Sequence, residues 1–167
     1  MQYGKLALGL VVAAGIGVAC SDSGTTAVPI DFGPDFETFV ANMTGAKERP
    51  TPNTSTATGT GTFVFEQTGE ISYRVVVPTA TPLATPPTGL HIHAPADTSQ
   101  AAGIIVGFNG FAQALSGTIA EGTIRGVSAA VSLDSLKALI RNRRVYLNLH
   151  TAANPGGEIR GQLVLVP

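Results

Sequence analysis

The chain has 167 residues, of which ten are Lys or Arg, eleven Asp or Glu, three His and one Cys. Its net charge of −1 provides no dense basic surface for a nucleic-acid backbone, so nucleic acid is not an expected partner. A single cysteine excludes an internal disulfide. The fold must therefore be held by apolar burial, which a chain of this length can supply.

The first 19 residues have the pattern of an export signal. One basic residue, Lys5, is followed by the apolar and small residues of Leu6–Val18. This run is shorter than the about 20 apolar residues that span a bilayer, so a cleaved signal peptide is predicted over residues 1–19. The motif GVAC that ends at Cys20 resembles the lipobox of bacterial lipoproteins, with Gly17 where a larger apolar residue is usual.

The lipobox resemblance implies that the Cys20 thiol is acylated and anchors the mature protein to a membrane. Ser21 stands where aspartate would retain a lipoprotein in the inner membrane of a Gram-negative cell, so an outer-membrane or cell-surface location is expected. Residues 20–35 are polar and contain Gly and Pro, as is typical of a flexible tether. The alternative is an ordinary secretory signal with an incidental cysteine.

Residues 36–167 are predicted to form one β-domain. Short apolar and β-branched runs separated by turn residues predict eight strands, namely Glu37–Thr44, Gly59–Glu66, Glu70–Val77, Gly89–Ala94, Ile104–Phe108, Gly117–Gly126, Arg144–Thr151 and Glu158–Val166. This spacing favours an all-β fold, an antiparallel Greek-key-like sandwich or barrel with one short connecting helix. The helix is predicted over Leu133–Arg141, with Ser132 as its N-cap, across one end of the sheets.

Alternation along three predicted strands separates an apolar face from a polar one. In LHIH at residues 90–93, a period of two directs the leucine and isoleucine to the core and both histidines away from it. VYLNLH at residues 145–150 alternates in the same way, with His150 on the polar face. The last strand is predicted to direct Glu158, Arg160 and Gln162 outward. All three histidines of the chain therefore belong to polar faces.

YLNLHTAANPGGEIRGQL at residues 146–163 resembles the C-terminal signature of the CHRD domain family, first described in the vertebrate protein chordin. GLHIHAPA at residues 89–96 and a strand and turn over Met43–Gly61 extend the resemblance to residues 36–165. It implies an extracytoplasmic β-domain. Together with the low charge, it favours a non-enzymatic surface module that binds a protein, a glycan or another copy of itself.

GLHIH at residues 89–93 is also similar to the copper-binding strand of copper–zinc superoxide dismutases, Greek-key β-barrels in which an H-x-H pair holds copper. The resemblance implies that His91 and His93 match this pair, that His150 matches a later ligand, and that Arg160 lies over the metal. The chain has no further histidine for a bridging position or a zinc site. A mononuclear site for copper or zinc is therefore the alternative function, because three imidazoles suit either ion.

Glu158, across the hairpin from His150, is predicted to accept the second N–H of that histidine. In the competing interpretation the histidines form hydrogen bonds within a polar face, and Glu158 forms an ion pair with Arg160. The sequence contains no G-x-S-x-G elbow and no glycine-rich phosphate loop, so an enzyme is not favoured. The two hypotheses differ in one geometric feature, because a shared metal requires ring nitrogens about 2 Å from one point.

Overall fold

A computed structural model describes residues 36–128 and 131–167 of the chain, so Cys20 and the predicted signal peptide and tether lie outside the described residues. The described part forms nine strands, one α-helix and a 3₁₀ turn at Gly45–Lys47. In chain order they are β1 (Glu37–Thr44), β2 (Thr58–Phe65), β3 (Ile71–Val77), β4 (Pro87–His93), β5 (Ile104–Gly107), β6 (Gly117–Ile124), α1 (Leu133–Arg141), β7 (Tyr146–Thr151), β8 (Ile159–Gln162) and β9 (Val164–Leu165).

The strands form one antiparallel sheet in the order β5-β4-β7-β8-β1-β2-β3-β6, with β9 beside β1. Strands β1, β2 and β3 are a meander, and β8 joins the β7–β8 hairpin to it. The neighbours β4 and β7, and β3 and β6, are distant in sequence, so the chain crosses between the two halves of the sheet. The predicted all-β, antiparallel, Greek-key-like class with one short helix is confirmed. The predicted last strand is divided into β8 and β9.

The core lies on one face of this sheet, as the period of two predicts. Side chains from both halves of the sheet belong to a single buried apolar cluster, which requires the sheet to curl around it. This cluster includes Phe39 and Met43 of β1, Leu90 and Ile92 of β4, Leu147 and Leu149 of β7, Ile159 of β8, and Leu163 directly after β8.

Helix α1 has the predicted boundaries, and its N-cap is also as predicted. The Ser132 hydroxyl accepts a hydrogen bond from the Ser135 N–H, which satisfies one of the free amides of the first turn. Leu136 and Ile140 are fully buried against the core. Arg141 forms an ion pair with Glu37 at the start of β1, so the helix closes one end of the sheet.

The opposite face of β4, β7 and β8 is also covered. The loop that follows β4 lies over it, where the Arg160 Nη2 donates to the carbonyls of Asp97 and Gln100 at 3.0 and 2.6 Å. The Tyr146 hydroxyl contacts Ala102 of the same loop. A set of buried polar residues, called the polar layer below, therefore lies between the sheet and its loops, and consists of Glu48, His93, Tyr146, Asn148 and Arg160.

Candidate metal centre

Two neighbouring strands position the three histidines. In the antiparallel register of β4 and β7, His93 lies opposite Tyr146, and Gly89 lies opposite His150. His91 is two residues beyond Gly89, so it is the diagonal neighbour of His150 on the same face of the sheet. The structure thus places all three histidines on the face opposite to the core, as predicted.

The three imidazole rings converge. Ring centroids are 5.0 Å apart for His91 and His150, 5.7 Å for His91 and His93, and 6.1 Å for His93 and His150. One nitrogen from each ring lies within 4.8 Å of the others. This convergence is the geometric feature by which a metal centre differs from a scattered polar face.

Backbone carbonyls determine which nitrogen of two rings carries the proton. The Nδ1 of His93 is 3.0 Å from the carbonyl oxygen of Ala102, and the Nδ1 of His150 is 3.0 Å from that of Pro155. A carbonyl can only accept, so each Nδ1 must be the N–H donor. In a neutral ring the Nε2 then holds the free lone pair, which is the form that a metal ion requires.

One ring nitrogen of each histidine has no partner among the described residues. The Nε2 of His93, the Nε2 of His150 and the Nδ1 of His91 are buried atoms without a hydrogen bond. Buried polar atoms are nearly always paired in folded proteins, and an unpaired group requires an explanation such as an ion. Three unpartnered imidazole nitrogens in one cluster form a donor set that one shared cation would satisfy.

Burial keeps two of the rings neutral at pH 7. Desolvation lowers the pKa of His93 to about 4; the hydrogen bond to Ala102 opposes the shift, and the charges of His150, His91 and Arg160 reinforce it. Desolvation also lowers the pKa of His91, with a further contribution from His150. At neutral pH, protons therefore compete only weakly with a metal ion for the rings of His91 and His93.

Gly89 leaves the space in which the rings meet. A Cβ atom at this position would lie 2.8 Å from the Cε1 of His91 and 3.6 Å from the Cδ2 of His150. The first distance is shorter than van der Waals contact, so any larger residue would displace the His91 ring. The glycine opposite His150 is thus required by the close approach of the two rings.

The cluster must close before its three nitrogens can bind one ion. Histidine nitrogens bind zinc at about 2.0–2.1 Å, so the ligands of one tetrahedral ion are about 3.4 Å apart. The nitrogens lie within 4.8 Å of one another, so the widest pair must approach by at most about 1.4 Å. The rings of His91 and His150 are only half-buried.

Glu158 does not lie on the histidine face. Its carboxylate is fully buried and accepts hydrogen bonds from the Ser55 hydroxyl, the Ala84 N–H and the Thr151 hydroxyl, at 2.9, 2.8 and 2.6 Å. The prediction that Glu158 points outward is wrong. Neither the expected hydrogen bond to His150 nor the alternative ion pair with Arg160 is formed, and Pro155 is the partner of His150.

A local irregularity explains the position of Glu158. The Glu158 N–H donates to the carbonyl of Leu149 at 2.7 Å, while Ile159 is the register partner of the same leucine. Glu158, which directly precedes β8, and Ile159 thus oppose the same residue of β7, as in a β-bulge. Strict alternation fails at this point, and both Glu158 and Ile159 are turned away from solvent.

Arg160 lies beside the histidine cluster, on the far side of an aromatic ring. Its guanidinium is 3.5 Å from the centroid of the Tyr146 ring, and that ring stacks on His93 with centroids 4.8 Å apart. Since β7 runs between β4 and β8, Tyr146 separates the arginine from His93. Arg160 lines a separate pocket that contains none of the three histidines, instead of the opening of the cluster.

Sequence reasoning missed Glu48 as a component of this face. Glu48 is 3 % exposed, and its carboxylate accepts a hydrogen bond from the Asn148 Nδ2 at 3.2 Å. Burial raises the pKa of Glu48 to about 7, although the Asn148 hydrogen bond, Arg160 and Arg49 act in the opposite direction. Glu48 follows the 3₁₀ turn and belongs to no strand, so alternation gave no signal for it.

The fold and the site define a class of protein: an antiparallel β-domain that carries converging histidines on its polar face. The family model of the CHRD domain matches residues 39–163. The chain therefore belongs to the CHRD domain family, as the sequence motifs predict. No curated protein and no solved structure matches the chain.

The proposed lipidation site, Cys20, lies outside the described residues. Within residues 36–128 and 131–167, no helix has the length and apolar character needed to cross a membrane.

Proposed function

We propose that this CHRD-domain protein binds one copper or zinc ion through His91, His93 and His150. The observation that carries the proposal is the convergence of three ring nitrogens within 4.8 Å of one another. Backbone hydrogen bonds to the Nδ1 atoms of His93 and His150 support it, because they leave both Nε2 atoms free to coordinate.

The donor set suits an ion that keeps an open position. Three protein ligands leave at least one coordination site for water or another molecule, as in zinc and copper sites that act on an exogenous ligand. The ligands are neutral imidazoles, so the bound ion would keep its full positive charge and act as a Lewis acid, or as a redox centre if it is copper.

Calorimetric titration of the chelator-treated full chain with copper and with zinc tests the proposal. We expect one ion per chain at pH 7. His93→Ala and His150→Ala should each weaken binding by at least about tenfold, the loss typical when even a residue that supports a ligand is removed. Electron paramagnetic resonance of the copper form should show coupling to three nitrogens, which falls to two in either variant.

Glu121→Gln is the matched control, because it removes an exposed carboxylate on β6 that could bind copper adventitiously. This variant should titrate like the wild type. Equal affinities for the wild type and both histidine variants would reject the metal site. The domain would then be best described by the second candidate function.

That second function is a non-enzymatic surface module that binds a protein, a glycan or another copy of the chain. Its support is the CHRD domain, which spans nearly all of the described residues. One protein could have both functions if the bound metal contributes to binding the partner. Binding to a partner that survives chelation and the His93→Ala change would favour the module alone.

We further propose that the chain is exported and held at an outer membrane or cell surface by a lipid on Cys20. The support is the short apolar run that ends in GVAC. Cys20→Ser should release the protein from the membrane fraction and leave the melting temperature of the domain unchanged. Intact-mass measurement of the mature N-terminus provides the second readout, and an unmodified chain cleaved elsewhere would reject the lipoprotein.

A further inference from the structure

Most basic side chains of the described residues either form an ion pair or line one pocket. Four of the nine have a carboxylate partner, in the pairs Arg74–Glu121, Arg125–Glu70, Arg141–Glu37 and Arg144–Asp97. Of the remaining five, Lys47, Arg49 and Arg160 line the same pocket. We infer that this pocket binds a small organic oxyanion, independently of the proposed metal centre.

The pocket lies on the outer face of the sheet, where β8 meets β1. Arg160 is on β8, opposite Thr44 of β1, and the 3₁₀ turn that follows β1 brings Lys47 and Arg49 to the same opening. Three cations from two parts of the chain are thus held around one cavity. Its other lining residues are neutral, among them Asn42, Thr98 and Gln162.

The surroundings of Arg160 give the strongest support for an anion site. The side chain is 2 % exposed, and its Nη1 is buried without a hydrogen-bond partner among the described residues. Nη2 donates to two backbone carbonyls, and among the described residues no carboxylate lies within ion-pair distance of Arg160. A guanidinium remains charged at any ordinary pH, and a buried charge is costly unless a counter-charge compensates it.

The two outer cations are also held by neutral groups. The Lys47 Nζ donates to the carbonyl of Asn42, and the Arg49 Nη1 donates to the carbonyls of Ala46 and Glu48. These bonds position the two side chains without pairing either cation with a carboxylate. Glu48 attracts Arg49 and Arg160 through space, and Asp97 attracts Arg160, but neither carboxylate lines the pocket.

The size of the pocket indicates a molecule instead of a bare ion. Its volume is about 360 Å³, roughly twelve times the share of one water molecule in the liquid. Forked guanidinium groups and an ammonium match the oxygens of a carboxylate or a phosphate. The ligand class is therefore a small organic acid or phosphate ester of about the size of a sugar.

Three six-carbon probes of similar shape test the inference in the full chain. Glucose is neutral, glucuronate carries a carboxylate, and glucose 6-phosphate carries a phosphate. After chelation, calorimetric titration should show that at least one charged probe binds at least about tenfold more tightly than glucose, as expected for charge-assisted hydrogen bonds. The two charged arms distinguish carboxylate from phosphate as the source of the oxyanion.

Variants identify the pocket. Lys47→Gln combined with Arg49→Gln should weaken the charged probe by at least about tenfold, and neither side chain is in the core. Arg160→Gln should reduce the affinity for the charged probe further, and a melting curve checks that this variant is folded. Arg74→Gln is the matched control, since it removes an exposed arginine on β3 outside the pocket. This variant should bind like the wild type.

The outcomes separate this inference from the metal proposal. His93→Ala should retain oxyanion binding, because the Tyr146 ring lies between His93 and Arg160. Unchanged binding in the Lys47→Gln and Arg49→Gln double variant, or glucose binding as tightly as both charged probes, would overturn the oxyanion pocket. Neither result would affect the metal titration.

Discussion

The two faces of the β4–β7–β8 sheet are built on opposite principles. The inner face packs fully buried apolar side chains into one cluster, among them Leu90, Ile92, Leu147 and Leu149. On the outer face, the polar layer is nearly as buried, with His93 at 7 % and Arg160 at 2 % exposure, yet several of its polar atoms have no hydrogen-bond partner in the described part of the chain. One face stabilises the fold, and the other holds groups that folding alone does not need.

This difference identifies where function is to be sought. Apolar burial is favourable wherever it occurs, whereas a buried polar atom without a hydrogen bond costs free energy. The unpartnered atoms of the histidines and of Arg160 lie on one side of one sheet, the former within the histidine cluster and the latter beside a separate pocket. A cation at one site and an anion at the other would satisfy both.

The largest predicted effect is on the inner face. Leu149→Ala should lower the free energy of unfolding by about 2–5 kcal/mol, because it removes a fully buried side chain and leaves a cavity. Chemical denaturation of the full chain measures this. Ile104→Ala is the control, since the Ile104 side chain on β5 is 55 % exposed, and its change should stay within about 0.5 kcal/mol.

A Leu149→Ala variant as stable as the wild type would mean that the inner and outer faces are reversed. A one-residue slip of β7 exchanges its two faces, so this experiment tests the register on which the histidine cluster also depends.

The inner face is the part that the sequence predicts best. Strand β1 and helix α1 have the boundaries predicted from apolar alternation, turn residues and the Ser132 cap. The facing of His91 and His93 also follows, because β4 alternates without interruption through these residues. Local pattern is sufficient where each strand keeps its period of two and its inner residues are apolar.

The outer face depends on contacts between distant parts of the chain, and prediction fails there. The β-bulge beside Leu149 turns Glu158 inward, and nothing in the sequence of the hairpin marks that extra residue. Glu48 reaches Asn148 across 100 positions of sequence. Arg160 is buried by the loop that follows β4, so the pocket that it lines forms only when these distant segments pack together.

The second prediction concerns two titrating residues of the polar layer with opposite effects on stability. The pKa of His93 falls from an ordinary value of 6.5 to about 4 on folding, so its contribution to stability is complete above pH 6.5 and is lost towards pH 4. The pKa of Glu48 rises from 4.5 to about 7, so its contribution is complete below pH 4.5 and is lost as the pH rises to 7. The two contributions largely cancel between pH 4 and 7.

Single variants of the metal-free chain should reveal each contribution. On acidification from pH 7 to 4, Glu48→Gln should lose about 3 kcal/mol of unfolding free energy relative to the wild type, because only the His93 penalty remains. His93→Gln should gain a similar amount relative to the wild type. Denaturant titrations at four pH values measure both. Parallel pH profiles for all three proteins would contradict the assigned shifts.

The smallest effect on stability, and the most specific one on the site, is expected at Gly89. In Gly89→Ala the new Cβ would lie 2.8 Å from the Cε1 of His91, which can move aside because it is the end of a side chain. Folding should therefore change little, while the displaced ring leaves the cluster and copper or zinc affinity falls by roughly tenfold, equivalent to about 1.4 kcal/mol. Gly126→Ala is the matched control, because no atom of the residues that the structure describes lies within 4 Å of its added Cβ. If both alanine variants bind metal as the wild type does, His91 is not a ligand and the centre reduces to His93 and His150.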